Sequence, residues 1–481
     1  MKNDELGMRS RGRRYVITFL SVLLSTGVYA ESIDADLEGF DDSAGSATMT
    51  SSVASTEEQS NDDMAGFDDD SAGSETETLA TEENNVSESA QSLFGFTGKL
   101  TEQIAYSFNG TSPHDKFTSL KSSFFLDYEH KFDNGWRFKS NAKAYYDAIY
   151  DIRNNTYSRD ELDEQRSEIR LYDAYVEGSI SDNIDLKLGR QVVVWGRSDT
   201  IRITDILNPL DNRRPGIVDI EDLRLPVTIA KLDFFIGDWR ITPIAVLEQF
   251  FTINPAFGSA FNPQIDPHIA EKNYHDVSYA LSIGGEFSGW DVNFYAARVR
   301  DDMGYVQFLP QAKFVHEKVN MFGAAFNVLS GSWLFKTELA YFNGLKYTSA
   351  QDRSFSRTDA LIGIEYNGIA DTMISYDFSL RHFNNYDRRL GNELFLPHKS
   401  TYQQALRITS DFMNATLHAN YLISLYGSKF DEGGFQRAWI KYNISDDLDV
   451  NVGIIDYIGG SKLFNNIKNS DMIFADISYS F

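Results

Sequence analysis

Residues 135–147 read GWRFKSNAKAYYD and alternate between apolar and polar side chains over the length of a strand. The apolar face begins and ends on an aromatic ring: Trp136, Phe138, Ala142, Ala144 and Tyr146. The other face is polar: Arg137, Lys139, Asn141, Lys143, Tyr145 and Asp147. The alternation recurs in residues 290–294, 374–380, 415–421 and 448–452. Lipid on one side and a polar lumen on the other favour this pattern, so we predict an all-β fold, a transmembrane antiparallel β-barrel over residues 92–481.

The connections between strands alternate in length, which orients the predicted barrel. Short turns rich in Gly, Asn, Asp and Ser lie at 133–135, 181–183, 237–238, 288–289, 331–332, 368–371, 413–414 and 445–447. Longer polar loops lie at 153–167, 198–225, 251–276, 347–356, 384–400 and 461–469. Outer-membrane barrels have short periplasmic turns and long extracellular loops. Four tryptophans each follow a short turn, as a periplasmic aromatic girdle requires: Trp136, Trp239, Trp290 and Trp333.

The strand count follows from these alternating segments. We predict about 18 strands, from residues 94–108 to residues 472–481, or 16 because residues 304–319 are ambiguous. An even count places both ends of the barrel in the periplasm. The first and last strands are expected to pair, because an unpaired edge is unstable in lipid.

The last strand carries a more specific signal. Ile473, Ala475, Ile477, Tyr479 and Phe481 are predicted to face lipid. A terminal Phe with Tyr two residues before it resembles the C-terminal strand by which Gram-negative assembly machinery recognises outer-membrane barrels. We therefore predict an outer-membrane location, with Ile477, Tyr479 and Phe481 as the assembly signal.

The N-terminal 91 residues differ in composition from the barrel. Residues 1–30 combine a basic start, an apolar run and an Ala30 cleavage position, which predicts a signal peptide; a membrane anchor is the alternative. Residues 31–91 contain 18 acidic residues and no Lys or Arg, which predicts a disordered periplasmic segment. The net charge of −26 argues against nucleic-acid binding.

The acidic segment repeats the tetrapeptide GFDD. The two copies supply candidate partner-docking residues: Phe40, Asp41, Asp42, Phe67, Asp68 and Asp69. Two weak motifs on one tether raise the effective concentration for a partner. Low-complexity duplication in a spacer is an equally good interpretation.

The residues that catalysis or metal binding requires are sparse. The chain has no Cys and eight His, and no His follows an H-E-x-x-H spacing or accompanies a Gly-framed Ser. His268 and His275 share one loop and are close enough in sequence to hold a metal, but solvated loop histidines are more common. We therefore predict no enzyme activity, no metal and no cofactor.

One long loop breaks the strand pattern. Residues 189–226 read GRQVVVWGRSDTIRITDILNPLDNRRPGIVDIEDLRLP, with nearly balanced Arg and acidic residues. We expect Asp205 to cap a short turn or helix and residues 218–225 to add a short strand or stalk. Residues 198–225 are predicted to enter the lumen as a constriction or plug; an ordered loop with no gating role is the alternative. The candidate residues are Arg190, Gln191, Trp195, Gly196, Arg197, Asn208, Pro209, Asp211, Arg213, Arg214, Asp219, Asp222 and Arg224.

Charged residues of both signs are also predicted on the inward strand faces. They are Arg137, Lys139, Lys143, Arg240, Arg381, Arg407, Arg437, Lys441, Asp147, Glu248, Asp291, Asp377, Asp411 and Asp449. One interpretation is a neutralising ion-pair network. The other is a set of charged rings that select a solute.

The motifs GRQ (189–191), WG (195–196) and NPLD (208–211), with the acidic GFDD leader, resemble a large proteobacterial family of outer-membrane barrels of unknown function. The resemblance implies partnership with inner-membrane exporters of the RND superfamily (the MMPL-like branch) and with a periplasmic carrier. It implies a role in moving lipid or other hydrophobic molecules in the envelope. A stand-alone porin-like channel for small solutes is the alternative.

Overall fold

The computed structural model describes residues 95–153, 157–393 and 398–481. The predicted signal peptide, the acidic segment and both docking repeats lie outside these ranges. Twenty strands occur in the described ranges: β1 (Phe96–Ser107), β2 (Lys116–Lys131), β3 (Arg137–Asp147), β4 (Ser167–Ser181), β5 (Ile184–Gln191), β6 (Val227–Ile236), β7 (Trp239–Val246), β8 (Ser278–Phe287), β9 (Trp290–Arg300), β10 (Tyr305–Gln307), β11 (Lys313–Val315), β12 (Lys318–Ser330), β13 (Trp333–Leu345), β14 (Phe355–Ile369), β15 (Thr372–Phe383), β16 (Ser400–Phe412), β17 (Leu417–Tyr426), β18 (Gly434–Ser445), β19 (Leu448–Ile458) and β20 (Met472–Ser480).

Eighteen of these strands form one closed antiparallel barrel. Each barrel strand pairs with its neighbours in sequence, and β20 pairs with β1, so the sheet has no edge. The strands β10 and β11 form a separate hairpin between β9 and β12. The predicted count of 18 is confirmed, and the hairpin explains why residues 304–319 were ambiguous.

The described helices are short and lie in the long connections between strands. They are α1 (Ile149–Ile152), α2 (Arg159–Gln165), α3 (Ile220–Leu223) and α4 (Lys462–Ile467), with two 3-10 turns at Thr348–Ala350 and Arg388–Asn392. Among the described residues, no helix is both long and apolar enough to cross a membrane.

Aromatic side chains cluster where the barrel has its short turns. Trp239, Trp290 and Trp333 each begin a strand, and Trp136 directly precedes β3. Phe287 packs between Trp239 and Trp290, with ring centroids 5.6 and 4.2 Å apart. A closed barrel with an apolar exterior and aromatic girdles is the architecture of an outer-membrane protein. We call the two ends of the barrel the short-turn end and the long-loop end.

The C-terminal residue completes the closure of the barrel. Phe481 and Gly98 exchange two backbone hydrogen bonds of 2.9 Å. The Phe481 ring covers Gly98, where an added Cβ would lie only 2.5 Å from the ring. In β20 and directly after it, the side chains of Ile473, Tyr479 and Phe481 are exposed on the outer face, while Asp476 and Ser478 are buried inside.

The inner wall has two different halves. Towards the short-turn end, the buried inward residues are largely polar: Thr101, Asn141, Asp233, Asn293, Lys336, Asn451 and Asp476. Towards the long-loop end, the inward residues of β6, β7, β9 and β13 are apolar: Val227, Ile229, Ile244, Val246, Tyr295, Ala297, Val299, Ala340 and Phe342. The predicted polar-in pattern is therefore wrong for the long-loop half of these strands, because another part of the chain covers the wall there and excludes water.

Candidate functional site

The covering chain is the long connection between β5 and β6, whose residues 197–225 we call the plug segment. After β5 the chain stays extended as far as Trp195, which is 5% exposed. The Trp195 ring stacks on Tyr295 of β9 at a centroid distance of 4.7 Å. The chain thus leaves the wall towards the inside of the barrel.

Glu338 on β13 fixes the first turn of the plug segment. It is 1% exposed. Its carboxylate accepts hydrogen bonds from the backbone N–H of Arg197 (2.6 Å) and Ser198 (3.0 Å). It also accepts from the Thr204 hydroxyl (2.8 Å). Gly196 has a φ of +98°, and a Cβ there would lie 2.9 Å from the Glu338 carboxylate, so a glycine suits this close approach.

Other wall residues hold the same part of the plug segment. The Asp377 carboxylate on β15 accepts hydrogen bonds from the hydroxyls of Ser198 and Thr200, both at 2.6 Å. Arg197 pairs with Asp291 on β9. Lys336 on β13 donates to Asp199 at 2.9 Å. Charge-assisted hydrogen bonds of this kind are among the strongest in proteins, so this end is fixed at several points.

Asn208 supplies side-chain hydrogen bonds to the backbone just beyond the paired residues of β5 and β6. Its side-chain oxygen accepts from Val193 N–H at 2.8 Å. Its amide donates to the carbonyls of Leu225 at 2.9 Å and Gln191 at 3.3 Å. Asn208 is 1% exposed, so it supplies buried hydrogen-bond partners to three backbone groups.

The middle of the plug segment is held by its own ion pairs. Asp205 pairs with Arg224 at 2.9 Å and with Arg202 at 3.1 Å. The expected helix cap at Asp205 is therefore wrong, because its carboxylate is engaged by two guanidinium groups. The expected strand at 218–225 is also wrong: Asp222 lies in the one-turn helix α3. Only Arg224 forms an isolated bridge, with Leu210, and Leu225 N–H donates to the Pro209 carbonyl at 2.8 Å.

The far part of the plug segment reaches β3 and β4. Arg213 donates to Tyr145 of β3 and to Glu168 of β4, at 2.8 and 2.7 Å. Arg213 also pairs with Asp211 of its own segment. Burial disfavours the ionised Asp211 carboxyl, but the hydrogen bonds and charge of Arg213 outweigh it and lower the pKa of Asp211. Arg214 lies 3.4 Å from the buried Asp147 at the end of β3.

The tip of the plug segment reaches β16, β18 and β19. Asp219 pairs with Arg407 of β16 at 3.1 Å and with Arg437 of β18. Arg437 also donates to the Ile217 carbonyl, and the Tyr457 hydroxyl donates to the Pro215 carbonyl at 2.7 Å. Ile217 packs in an apolar cluster with Trp439 and Ile455. Because β13 and β3 lie on nearly opposite sides of the 18-stranded ring, the plug segment crosses the lumen.

A comparison with family models covers almost the whole chain. Residues 12–481 match the family described as "Protein of unknown function (DUF1302)". The chain belongs to the DUF1302 family. No curated protein matches the sequence significantly.

Solved structures similar to the DUF1302 barrel are outer-membrane proteins of low sequence identity. OpdK of Pseudomonas aeruginosa is 11% identical, with 80% of this chain and 98% of that chain covered and a TM-score of 0.48. OccAB1 of Acinetobacter baumannii is 12% identical, with 80% and 95% covered and a TM-score of 0.47. OmpF of Salmonella typhi, solved with daunomycin, is 10% identical, with 80% and 97% covered and a TM-score of 0.42.

Two residues that the sequence assigned to the lumen lie elsewhere in the DUF1302 barrel. Arg190 belongs to β5 and pairs across the sheet with Thr228, which lies between the buried residues Val227 and Ile229. Arg190 and Glu248 therefore point outward, where they form an ion pair of 2.6 Å. The predictions of Arg190 as a plug residue and Glu248 as an inward residue are wrong. Gln191 is the last residue of β5 and is buried.

The sequence did not single out Lys336 and Glu338 as anchors of the DUF1302 plug. Both lie in residues 333–345, WLFKTELAYFNGL, where they alternate with exposed Phe335 and Leu339. That alternation is a usable signal for inward charges. Their partners in the plug segment depend on how the loop crosses the lumen, which spacing does not reveal.

The candidate metal residues of the DUF1302 barrel do not form a site. His268 is 83% exposed and contacts Asp266 at 2.6 Å. No group of three or more His, Asp or Glu side chains in the described ranges is arranged to hold a metal ion.

Proposed function

We propose that this protein is the outer-membrane component of an envelope transport system, and that the plug segment closes the barrel until a partner or substrate displaces it. The observation that carries the proposal is the attachment of the plug segment to both sides of the wall. Glu338 of β13 and Asp377 of β15 hold one end, and Tyr145 of β3 and Glu168 of β4 bind Arg213 on the nearly opposite side. A segment with so many charge-assisted contacts does not leave the lumen spontaneously at an appreciable rate.

The family resemblance in the sequence supports the partner and the cargo of this proposal. It implies an RND-superfamily exporter of the MMPL-like branch, a periplasmic carrier, and lipid or hydrophobic cargo. In this scheme the acidic segment 31–91, with Phe40 and Phe67, recruits the partner from the periplasm. The partner supplies the free energy that separates the plug segment from its anchors.

Conductance in planar lipid bilayers tests the closed state. The wild-type barrel is expected to be nearly silent. Replacement of residues 198–225 by a short Gly-Ser linker should give steady conductance, and Glu338→Gln should give brief openings because an amide group faces N–H donors of the plug segment. The matched control is Asp449→Asn, an inward carboxylate that pairs with Lys99 on β1. Steady wild-type conductance that the linker variant leaves unchanged would contradict the proposal.

Co-purification tests the partner. Deletion of residues 31–91 is expected to abolish recovery of an inner-membrane exporter or periplasmic carrier while the barrel still assembles. A charge-preserving control replaces Phe40 and Phe67 by Ala. Loss of partner in this control would assign recognition to the aromatic rings, whereas normal recovery in both variants would contradict the role of the segment.

A second candidate function is a diffusion channel for small solutes. The observation that favours it is a polar lumen wall with two lysines on β2 and β3. Among the described residues, no carboxylate lies within ion-pair distance of Lys121 or Lys143, and the charges that act on Lys121 are three cations and Asp147. Such a site attracts anions. Lys121→Gln with Lys143→Gln should then shift the reversal potential of any wild-type current towards cations, while the exposed Lys429→Gln should not.

A further inference from the structure

A lipid-facing cation lies near the long-loop end of β9. Arg298 is exposed, and its neighbours Ala297 and Val299 are 7% and 6% exposed in the core inside the barrel. Because side chains alternate along a strand, Arg298 must point outward. None of the contacts found among the described residues neutralises it.

The neighbouring strands show where the hydrocarbon region ends. Strand register aligns five outward side chains, most of them polar, on five adjacent strands: Tyr279, Arg298, Asn320, Asn343 and Ser356. The next outward row towards the short-turn end contains Leu281 and Phe322. Trp290 begins β9 eight residues before Arg298, a height of about 20 Å for a tilted strand. That height is close to the apolar band of an outer-membrane barrel.

Two further cations flank Arg298 on the same face. Arg300 lies two residues along β9, and Lys318 of β12 pairs directly opposite it. Both contact the carboxylate of Asp276, at 2.6 and 2.5 Å. Partial burial of the Asp276 carboxyl favours a higher pKa. The hydrogen bonds of Lys318 and Arg300 outweigh this effect and lower the pKa of Asp276 to about 2. Asp276 therefore pairs with Arg300 and Lys318, and no carboxylate among the described residues forms an ion pair with Arg298.

We propose that Arg298 and Lys318, beside the charge of the largely buried Arg300, bind a phosphate group carried by a lipid of the outer leaflet. Guanidinium groups bind phosphate in a bidentate geometry, and a basic residue at a lipid headgroup contributes about 1 kcal/mol. Tyr279 is 62% exposed beside Arg298 and offers an aromatic surface and a hydroxyl to the same headgroup. The site lies at the boundary of the apolar band, so its occupant is a phosphorylated lipid; in the predicted orientation, that lipid is the glycolipid of the outer leaflet.

Native mass spectrometry of the purified barrel tests the site with defined lipids. The full chain is offered a synthetic glycolipid with one phosphate, the same glycolipid without phosphate, or inorganic phosphate. The wild-type barrel should retain the phosphorylated glycolipid at least fivefold more than the dephosphorylated one. Arg298→Gln with Lys318→Gln should remove most of that preference, whereas Lys429→Gln, which removes an exposed loop cation, should keep it.

A variant that is expected to increase lipid retention separates the proposed effect from a loss of folding. Asp276→Asn removes the carboxylate that competes with phosphate, so retention of the phosphorylated lipid should rise about twofold. Equal retention of the two glycolipids, or no change in either variant, would overturn the proposal. Retention of inorganic phosphate alone would also overturn the proposal, because the site would then bind anions without recognising the lipid. These outcomes do not depend on whether the lumen conducts.

Discussion

At the scale of single residues, Asn208 anchors the backbone at both ends of the plug segment. One amide side chain satisfies three backbone groups at the point where the β5 and β6 ladder ends. Asn208→Ala should remove these buried hydrogen bonds and lower the free energy of unfolding by about 2–4 kcal/mol. Urea unfolding of the barrel in lipid vesicles, followed by its gel mobility, measures the effect.

Asn212 offers a matched control for this prediction. It lies in the same segment, its backbone N–H donates to the Ile253 carbonyl, and its side chain is only partly buried. Asn212→Ala should change the free energy of unfolding by less than about 0.5 kcal/mol. Equal losses in the two alanine variants would show that Asn208 has no special role.

Asp301 carries a pH-dependent contribution at the base of the β10–β11 hairpin. Burial raises the pKa of its carboxyl to about 6, although Arg357 opposes the shift. The folded state therefore binds the proton more tightly than the unfolded state, and stability falls as the pH rises from about 4 to about 6. Hydrogen exchange, corrected for its intrinsic pH dependence, should show more protection of residues 305–315 at pH 5 than at pH 7.

Replacement of Asp301 separates this effect from the nearby imidazole. The His316 ring contacts the Asp301 carbonyl at 2.6 Å, so the two side chains are close neighbours. Asp301→Asn should show high protection at both pH values, because the amide needs no proton. A pH effect of undiminished size in this variant would show that Asp301 is not the group responsible.

At the scale of elements, the plug segment behaves as a separate layer against the wall. Gly323 of β12 meets it so closely that an added Cβ would lie 3.0 Å from Thr204 Cγ2. This spacing suits a disulfide, and the chain has no other Cys. In Thr204→Cys with Gly323→Cys, oxidation should lock the plug segment in the lumen. Openings caused by Glu338→Gln in the same chain should then disappear and return on reduction.

The single-cysteine variants control for the loss of the Thr204 hydroxyl bond to Glu338. Each should respond to neither oxidant nor reductant. Openings that persist in the oxidised double-cysteine chain would show that current passes beside the plug segment rather than through its displacement, which favours the diffusion channel.

The sequence predicted part of this element. Its near-balanced charge pointed to packing against a charged wall, and Arg197, Arg213, Arg214 and Asp219 do contact wall residues. Its internal structure was predicted wrongly at Asp205 and at residues 218–225. Local patterns assign a free carboxylate to a cap, whereas the nearby Arg202 and Arg224 engage it once the loop has folded.

At the scale of the whole molecule, strand alternation and turn spacing were sufficient to predict 18 strands. These signals repeat in every hairpin, so a local error does not propagate. The apolar inner half was not predicted, because inward Val227 and Ile229 look the same in sequence whether lipid or a plug covers them. Long-range contacts that fill a lumen leave no periodic signature in either partner.

Replacement of Phe481 should affect assembly of the barrel in cells more than the stability of the folded barrel. Phe481→Ala keeps the two backbone hydrogen bonds to Gly98 and removes only an outward ring that is 42% exposed. Spontaneous folding into short-chain lipid vesicles should therefore be nearly normal, with a stability loss of about 1 kcal/mol. In cells, the amount of assembled barrel should fall several-fold if the terminal aromatic is the assembly signal that the sequence predicts. Phe412→Ala is the control, since Phe412 is also lipid-facing at the short-turn end and 50% exposed. Equal losses in cells for both variants would mean that the ring contributes only packing, and normal assembly of Phe481→Ala would contradict its role as a signal.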